Sequence, residues 1–220
     1  TGSGGSPWPA FGDNIVERYE VPVGLISVGW GGTSVAQWLP DAGDDLFSRI
    51  VLALDEVGPH GARALLWHQG ESDLAGGTST EDYTIRLSEV ITASRVEAGW
   101  ELPWIVARAS FLPNYDTSDM ERIVNAQQAV IEADPFTFEG PYTDDLIGEQ
   151  WRYDAVHFNE AGLIEHANRW DLSVVPIMPD YTIYDADQDG IEDEFDLCPN
   201  TLIDSSVDDD GCSDFQLDAD

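Results

Sequence analysis

The sequence of 220 residues contains no lysine, only two cysteines and no long apolar run. Its nine basic residues are all arginine and stand against 43 Asp and Glu, which gives a formal net charge of −34 at pH 7. Without a basic face the chain cannot neutralise a row of phosphates, so we expect no nucleic-acid partner. No apolar stretch approaches the ~18 residues that a membrane span needs. Hydrophobic residues still make up 42% of the chain, so the sequence predicts a folded protein with an acidic surface.

The acidic residues are spread unevenly along the chain. Residues 181–220 hold 14 acidic residues and no basic one, whereas all nine arginines lie earlier. Both cysteines, Cys198 and Cys212, fall in this acidic segment, which predicts one disulfide and an oxidising compartment. We therefore predict a first domain over residues 1–178 and a small module over residues 179–220. The same features favour a secreted or cell-surface protein from a saline environment.

Apolar runs alternate with helical patterns in the first domain. The runs at 23–28, 62–67 and 104–109 predict buried strands. Apolar residues at helical spacing predict helices over 44–57, 80–98, 118–133 and 159–172. This alternation predicts an α/β fold of three layers, α/β/α, around a parallel sheet, in which ligands bind at the carboxyl ends of the strands.

Polar groups are concentrated in three turns near the ends of these elements. Gly31-Gly32-Thr33-Ser34 follows the first predicted strand, and a glycine pair can present N–H groups to a developing negative charge. Trp67–Asp73 places an amide, a carboxylate and an imidazole directly after the second strand. In the third turn Asp154 precedes His157 by three residues, a spacing that lets the carboxylate fix the imidazole tautomer.

These turns, in this order, resemble the SGNH/GDSL hydrolase superfamily, most closely the branch with carbohydrate esterase family six and the sialate O-acetylesterases. The resemblance covers about residues 7–170. It rests on Pro7-Trp8-Pro9-Ala10-Phe11-Gly12, on Val28–Ser34 with Trp38, on Trp67-His68-Gln69-Gly70-Glu71-Ser72-Asp73 and on Asp154-Ala155-Val156-His157. It implies a secreted carbohydrate O-acetylesterase whose substrate is an acetylated carbohydrate, of the acetylxylan or sialate type.

The resemblance also implies acyl transfer through a serine nucleophile without a catalytic cofactor. His157 would be the general base, and Gln69 and Gly32 would donate hydrogen bonds to the oxyanion. Either Asp154 or Glu71 would orient His157, and the sequence does not decide between these two carboxylates.

The family's block that carries the nucleophile has no counterpart in this sequence. None of Ser3, Ser6, Ser34 and Ser72 stands in a matching position. We expect the serine and the first strand to lie upstream of Pro7 in a longer protein, and the chain alone to be inactive. Two other functions compete with this one: a non-catalytic, calcium-stabilised surface or adhesion module with a degenerate hydrolase domain, and a metal hydrolase that uses His68, Glu71, Asp73 and His157.

The acidic module carries the spacing of a calcium-binding loop. Oxygen ligands would come from Asp185, Asp187, Asp189, Asp193, Asp196 and the carbonyl of Ile191. Cys198-Pro199 follows where an EF-hand would continue as a helix, and the segment instead resembles bacterial thrombospondin type 3 repeats. Asp218-Ala219-Asp220 repeats Asp185-Ala186-Asp187, so we expect further calcium repeats or modules beyond Asp220. The calcium would be structural.

Chelation of calcium should unfold the acidic module and leave the first domain intact. A disulfide between Cys198 and Cys212 contributes about 3 kcal/mol, which is too little to order a 40-residue segment at ~1–2 kcal/mol per residue. We expect a chelator to expose residues 181–220 to proteolysis and hydrogen exchange while the domain before Asp180 stays protected. Protection of the module that does not depend on calcium would contradict this assignment.

Overall fold

The structure, a computed structural model, describes residues 5–178, 191, 197, 198, 201, 205–208, 210–213 and 216. The chain divides into two compact units, residues 1–177 and residues 178–220. In chain order, the elements are α1 (Trp8–Tyr19), a 3-10 helix (Val35–Trp38), α2 (Phe47–Val57), β1 (Leu65–Trp67), α3 (Glu71–Gly76), α4 (Thr80–Ala98), β2 (Trp104–Arg108), α5 (Thr117–Ala133), β3 (Thr137–Tyr142), α6 (Glu160–Val174) and a second 3-10 helix (Val175–Ile177).

The described strands form one parallel sheet in the order β1-β2-β3. Trp104 of β2 pairs with Leu65 on one side and with Thr137 on the other. Parallel neighbours need crossover connections, and helices supply them here, α3 and α4 between β1 and β2 and α5 between β2 and β3. The predicted α/β fold with a parallel sheet is confirmed.

Both faces of the sheet are buried. Trp104 and Val106 face a core formed with α2, α4 and α5, in which Tyr83, Leu87 and Ile123 are fully buried. Ile105 and Ala107 alternate with them along β2 and are equally buried without belonging to that core. α6 packs against β3 and α1. Burial on both faces explains why β2 is a continuous apolar run.

Side-chain caps fix the starts of three helices. Ser79, Asp116 and Asn159 each accept a hydrogen bond from the backbone N–H three residues later, at the starts of α4, α5 and α6. The prediction for α4 is therefore confirmed at both ends, and those for α5 and α6 are confirmed to within two residues. The helix predicted from residue 44 begins at Phe47 instead.

The predicted strand at residues 23–28 is wrong. This segment has no strand neighbour among the described residues, and Leu25 and Ile26 are 45% and 52% exposed. An extended apolar run becomes a strand only when another strand completes its hydrogen bonds. The sheet's third member is β3, whose Gly140 and Pro141 interrupt the usual strand pattern. At Gly140 a Cβ atom would lie 2.6 Å from the backbone of β2, so glycine is needed for the close approach.

The second unit contains the predicted disulfide. Cys198 and Cys212 are bonded, and an isolated antiparallel bridge joins Val207 to Ser213 nearby. The carboxylate of Asp208 accepts hydrogen bonds from the backbone N–H groups of Asp210 and Cys212. The predicted calcium ligands Asp185, Asp187, Asp189, Asp193 and Asp196 lie outside the described residues, and the calcium site stays a prediction.

In the part of the chain that the structure describes, no helix has the length and apolarity to cross a membrane.

Gln127 of α5 ties the ends of β1 and β2 together from within the core. Its side chain is fully buried and accepts from the N–H of Ala109, while its amide donates to the carbonyls of Ala109 and Gln69, all at 2.9 Å. The hydroxyl of Tyr83 donates to the same Gln69 carbonyl. Gly70 makes this approach possible, because a Cβ atom there would lie 1.8 Å from the carbonyl oxygen of Ala109 and 2.9 Å from the Gln127 amide.

Replacing Gly70 by alanine should destabilise the first unit by roughly 2–3 kcal/mol, since the added carbon would overlap backbone that cannot move aside. Gly76→Ala is the matched control, because a Cβ atom at Gly76 meets nothing within 4 Å. We expect the control to stay within about 0.5 kcal/mol of the parent in urea unfolding. Equal unfolding midpoints for the two variants would contradict the close packing at Gly70.

Candidate active site

Asp154 and His157 form a compact turn that exposes the imidazole. One carboxylate oxygen of Asp154 accepts from the backbone N–H groups of Val156 and His157, at 3.0 and 2.6 Å. The other lies 2.7 Å from Nδ1 of His157. Ala155 adopts a left-handed conformation, φ 67°, which closes the turn. The backbone N–H of His157, followed by its side chain, lowers the pKa of Asp154 to about 2.

This geometry fixes the tautomer of the imidazole. An ionised Asp154 can only accept, so Nδ1 of a neutral His157 carries the hydrogen and Nε2 presents a lone pair. The side chain is 67% exposed, and the Tyr153 ring stacks on it at a centroid distance of 5.8 Å. The arrangement is that of a general base held by a carboxylate and open to an incoming proton donor.

Arg152 connects the turn of Asp154 and His157 to the rest of the first unit. Its guanidinium donates to the backbone carbonyls of Leu146, at 2.6 Å, of Thr143, at 3.3 Å, and of Val156. It lies over the rings of Phe111 and Phe158, 4.6 and 4.2 Å from their centroids. Burial lowers the pKa of Arg152, and the nearby charge of Glu71 opposes that shift. Nothing in the sequence singled out Arg152, because an arginine in a turn is usually on the surface.

A buried carboxylate ties the same segment to the end of β2. Asp144 accepts from the N–H and hydroxyl of Ser110, at 2.8 and 2.6 Å, and from the N–H of Phe111, at 2.9 Å. Burial raises the pKa of Asp144, while these hydrogen bonds counteract the shift. His68 contributes a second tie, since its Nε2 lies 3.2 Å from the hydroxyl of Thr143. The ends of β1, β2 and β3 are thereby joined at one edge of the sheet.

Gln69 lies at the end of β1 with its polar groups engaged. Its amide nitrogen donates to the carbonyl of Thr33 at 3.0 Å and to the carboxylate of Asp73 at 2.6 Å. Its amide oxygen accepts from the Tyr83 hydroxyl at 3.0 Å. The hydrogen bond to Thr33 brings Gln69 to the residue next to Gly32, so the structure places these two predicted oxyanion donors in neighbouring turns.

Asp73 connects the turn after Gly32 with the turn that contains Gln69. It is fully buried and accepts from the N–H of Val35 at 2.7 Å and from the Thr78 hydroxyl at 2.8 Å, as well as from Gln69. The sequence suggested Asp73 only as a ligand of the competing metal site. Its oxygens instead meet hydrogen-bond donors, and the described residues contain no group of three or more His, Cys, Asp or Glu that could hold a metal ion.

Gly32 supplies the backbone conformation of the first turn. Its φ of 76° lies in the left-handed region, which favours glycine, and a Cβ atom there would meet nothing within 4 Å. The following Thr33 donates its hydroxyl hydrogen to the carbonyl of Trp30 at 2.7 Å and accepts from the Trp38 indole at 3.0 Å. The surroundings of Gly32 are therefore open, while the turn on either side of it is fixed.

Glu71 has a different environment from Asp154. Its carboxylate accepts from the N–H of Gly70 at 3.1 Å, in the first turn of α3. Its charge acts on Arg152 and Asp144, which places it near the buried ties of the site. Among the hydrogen bonds of the described residues, the imidazole of His157 meets Asp154 and not Glu71.

A second histidine, His166, lies under the site and is held neutral. It is buried on α6, with Nε2 accepting from the Trp170 indole at 2.9 Å, and its ring centroid is 4.7 Å from that of His68. Burial, followed by the charge of His68, lowers the pKa of His166 to about 2. His166 therefore packs as a neutral core residue at neutral pH.

The chain is similar to a family of known proteins. A family model described as "Carbohydrate esterase, sialic acid-specific acetylesterase" matches residues 2–174. "Probable carbohydrate esterase At4g34215" of Arabidopsis thaliana is 31% identical over 93 residues, which are 40% of this chain and 35% of that protein. The match thus spans about a third of the length of this curated relative.

Two solved structures share the fold. The crystal structure of the Arabidopsis thaliana protein AT4G34215 superposes with a TM-score of 0.65 at 21% identity, covering 80% of this chain and 71% of that one. The crystal structure of TesA gives a TM-score of 0.50 at 15% identity, covering 62% of this chain and 76% of that one. The predicted SGNH-like α/β fold with a parallel sheet is therefore confirmed. Because the family model covers most of its length, the chain belongs to the carbohydrate esterase family of sialic acid-specific acetylesterases.

Proposed function

We propose that the protein removes acetyl groups from a carbohydrate by serine acyl transfer, with His157 as the general base. The observation that carries this proposal is the contact of 2.7 Å between Nδ1 of His157 and the carboxylate of Asp154, which leaves Nε2 exposed. A base must present a lone pair toward the attacking hydroxyl, and a carboxylate on the opposite nitrogen ensures this.

Asp154 is the carboxylate that orients the imidazole in this proposal. Two backbone N–H groups hold its position, and its pKa of about 2 keeps it ionised at any pH at which an esterase is assayed. It also stabilises the imidazolium that forms when His157 accepts the proton. Glu71 then has a supporting part, because it acts by charge on Arg152, whose guanidinium holds the turn.

The nucleophile, in this proposal, comes from a further segment of the protein. Within the described sheet, β1 has a neighbour on one side, and the apolar segment 23–28 has none. An additional parallel strand beside β1 would complete the hydrogen bonds of both. Its carboxyl end would then lie at the same edge as Gln69 and Gly32, since parallel strands end at one edge. A serine at that end would reach the acetyl carbonyl between the oxyanion donors and His157.

The proposed reaction has two steps. The serine hydroxyl attacks the acetyl carbonyl and gives its proton to Nε2 of His157, and the carbonyl oxygen becomes an oxyanion near the N–H of Gly32 and the amide of Gln69. Collapse releases the sugar hydroxyl, which takes the proton back from His157. In the second step His157 takes a proton from water, which attacks the acetyl-serine. The ester bond to the serine then breaks, acetate is released, and His157 returns the proton to the serine oxygen. Because both N–H groups of Gln69 are engaged, its bond to the Thr33 carbonyl must be shared or released in this step.

The proposal also covers the substrate, the location of the protein and the module after residue 178. The substrate is an acetylated carbohydrate of the acetylxylan or sialate type, and the protein acts outside the cell. The module after residue 178 is a calcium-binding repeat of the thrombospondin type 3 kind. The disulfide between Cys198 and Cys212 supports an oxidising compartment.

The proposal is tested on the protein that includes the coding sequence upstream of Thr1. We expect release of acetate from an aryl acetate and from acetylated sugars, and a loss of kcat/KM on the order of 10²–10⁴-fold in His157→Ala, because general-base catalysis is worth that much. His60→Ala is the matched control, since His60 packs on Trp100 and not in the turn at Asp154. Full activity of His157→Ala would refute the proposal, and an inactive parent would favour the non-catalytic surface module.

The two carboxylates should differ in the same assay. Asp154→Asn replaces an obligate acceptor by an amide that can present a donor, so it weakens the correct tautomer of His157, and we expect kcat to fall on the order of 10²-fold. Glu71→Gln removes a charge near Arg152 without touching the imidazole, and we expect a loss below about tenfold. Circular dichroism checks that both variants fold. A larger loss in Glu71→Gln would reverse the assignment.

A further inference from the structure

A groove opens beside the glycine turn and is not used by the proposed chemistry. It has a volume of about 460 Å³ and is lined by Trp30, Thr33, Gln37, the segment 44–46, and Ser48, Arg49 and Leu52 of α2. Trp30 directly precedes Gly31 and Gly32 in the sequence. Thr33, on the wall of the groove, accepts the hydrogen bond from Gln69. The groove therefore adjoins the proposed oxyanion donors, and its volume lies in the ~300–1,000 Å³ range of small-ligand sites.

Trp30 gives the groove an accessible aromatic surface. The residue is 50% exposed, although indole is among the largest apolar side chains. The guanidinium of Arg49 lies 5.3 Å from the ring centroid and is held there because its Nε donates to the carbonyl of Val28 at 2.6 Å. The indole and guanidinium planes are therefore prearranged without a bound ligand.

Arg49 differs from most arginines of this acidic chain. Six of the nine form an ion pair with a carboxylate: Arg18, Arg86, Arg95, Arg108, Arg122 and Arg169. Among the described residues, no carboxylate lies within ion-pair distance of Arg49, although Asp44 and Asp45 line the same groove. Because Arg49 lines the groove, its guanidinium can supply hydrogen-bond donors to a ligand there.

The remaining wall contains polar groups beside Leu46 and Leu52. The amide of Gln37 donates to the carboxylate of Asp44 at 3.2 Å, and Ser48 donates its hydroxyl hydrogen to the carbonyl of Asp45 at 2.7 Å. An aromatic plane with amide, carboxylate and guanidinium groups around it suits a ring that has one apolar face and a rim of hydroxyl groups. A purely apolar ligand would leave these polar groups desolvated and unpaired.

We propose that this groove, the Trp30 groove, binds an uncharged pyranose ring of the substrate. This inference rests on the proposed function, because it gives the sugar a place beside the carbonyl that is attacked. The ring stacks on Trp30, and its hydroxyl groups exchange hydrogen bonds with Arg49 and the Gln37–Asp44 pair.

The charge of the groove selects against an acidic sugar. Asp44 and Asp45 outnumber Arg49, so the groove has a net negative charge within a chain of net charge −34. A carboxylate on the sugar would meet repulsion both on approach and in the groove. Neutral sugars of the acetylated xylan type therefore fit better than sialic acids.

Binding to the 220-residue chain tests the Trp30 groove without any catalytic turnover. We expect xylotetraose to give saturation-transfer NMR signals and a titratable change in tryptophan fluorescence, and Trp30→Ala to raise the dissociation constant at least about tenfold. Phe136→Ala is the matched control, because Phe136 is 44% exposed and lies outside the groove. Urea unfolding checks that both variants are folded.

A second binding experiment tests the selection against acidic sugars. N-acetylneuraminic acid should bind at least about tenfold more weakly than the neutral sugar at low salt, and Asp45→Asn should narrow this difference. Asparagine suits the site because Asp45 has a φ of 56°, which asparagine tolerates. Absence of xylotetraose binding, an unchanged affinity in Trp30→Ala, or tighter binding of the acidic sugar would each overturn the inference. Binding that depends on Trp30, together with an absence of esterase activity in the protein that includes the upstream coding sequence, would refute the proposed function alone.

Discussion

The first unit depends on a buried amide junction in which no charge is involved. Gln127 saturates the N–H and carbonyl groups of Ala109 and the carbonyl of Gln69, and the Tyr83 hydroxyl completes the set. Parallel strands that end inside a protein leave backbone groups without a partner, and an unpaired buried group costs about 1–3 kcal/mol. A single side chain from α5 removes that cost at two strand ends together, so the ends of β1 and β2 are held in register with the helix layer.

Two buried charged groups, Arg152 and Asp144, connect the loops at the carboxyl ends of the strands. Arg152 meets backbone carbonyls and aromatic faces in place of a carboxylate, and Asp144 meets N–H and hydroxyl groups in place of a cation. Each charge is therefore compensated by polar groups of the loops that it holds together. The polar ties at this edge are satisfied locally, which lets a chain with a large acidic excess keep buried ionisable groups near its site.

Much of this arrangement could be predicted where the signal is local in sequence. Apolar periodicity located α4, α5 and α6, and the spacing of three residues between Asp154 and His157 indicated their contact. Gln127, Arg152 and the structural part of Asp73 were missed, because polar residues usually indicate surface. For Gln127 the partners also lie 18 and 58 residues away in the chain. The segment 23–28 has the composition of a strand, but strand formation depends on a neighbour that a single run of sequence does not specify.

The turn that holds His157 is short in sequence, and Arg152 connects it to the rest of the first unit. His157, the carboxylate that meets its imidazole and the backbone N–H groups that fix this carboxylate all lie within residues 154–157. In the proposed reaction, one short loop therefore prepares the proton transfer, whereas the oxyanion is stabilised by turns from other parts of the fold. Substitutions in the core can therefore change the stability of the first unit while the contact between Asp154 and His157 is kept. The stability of the fold and the proposed proton transfer can change separately in evolution.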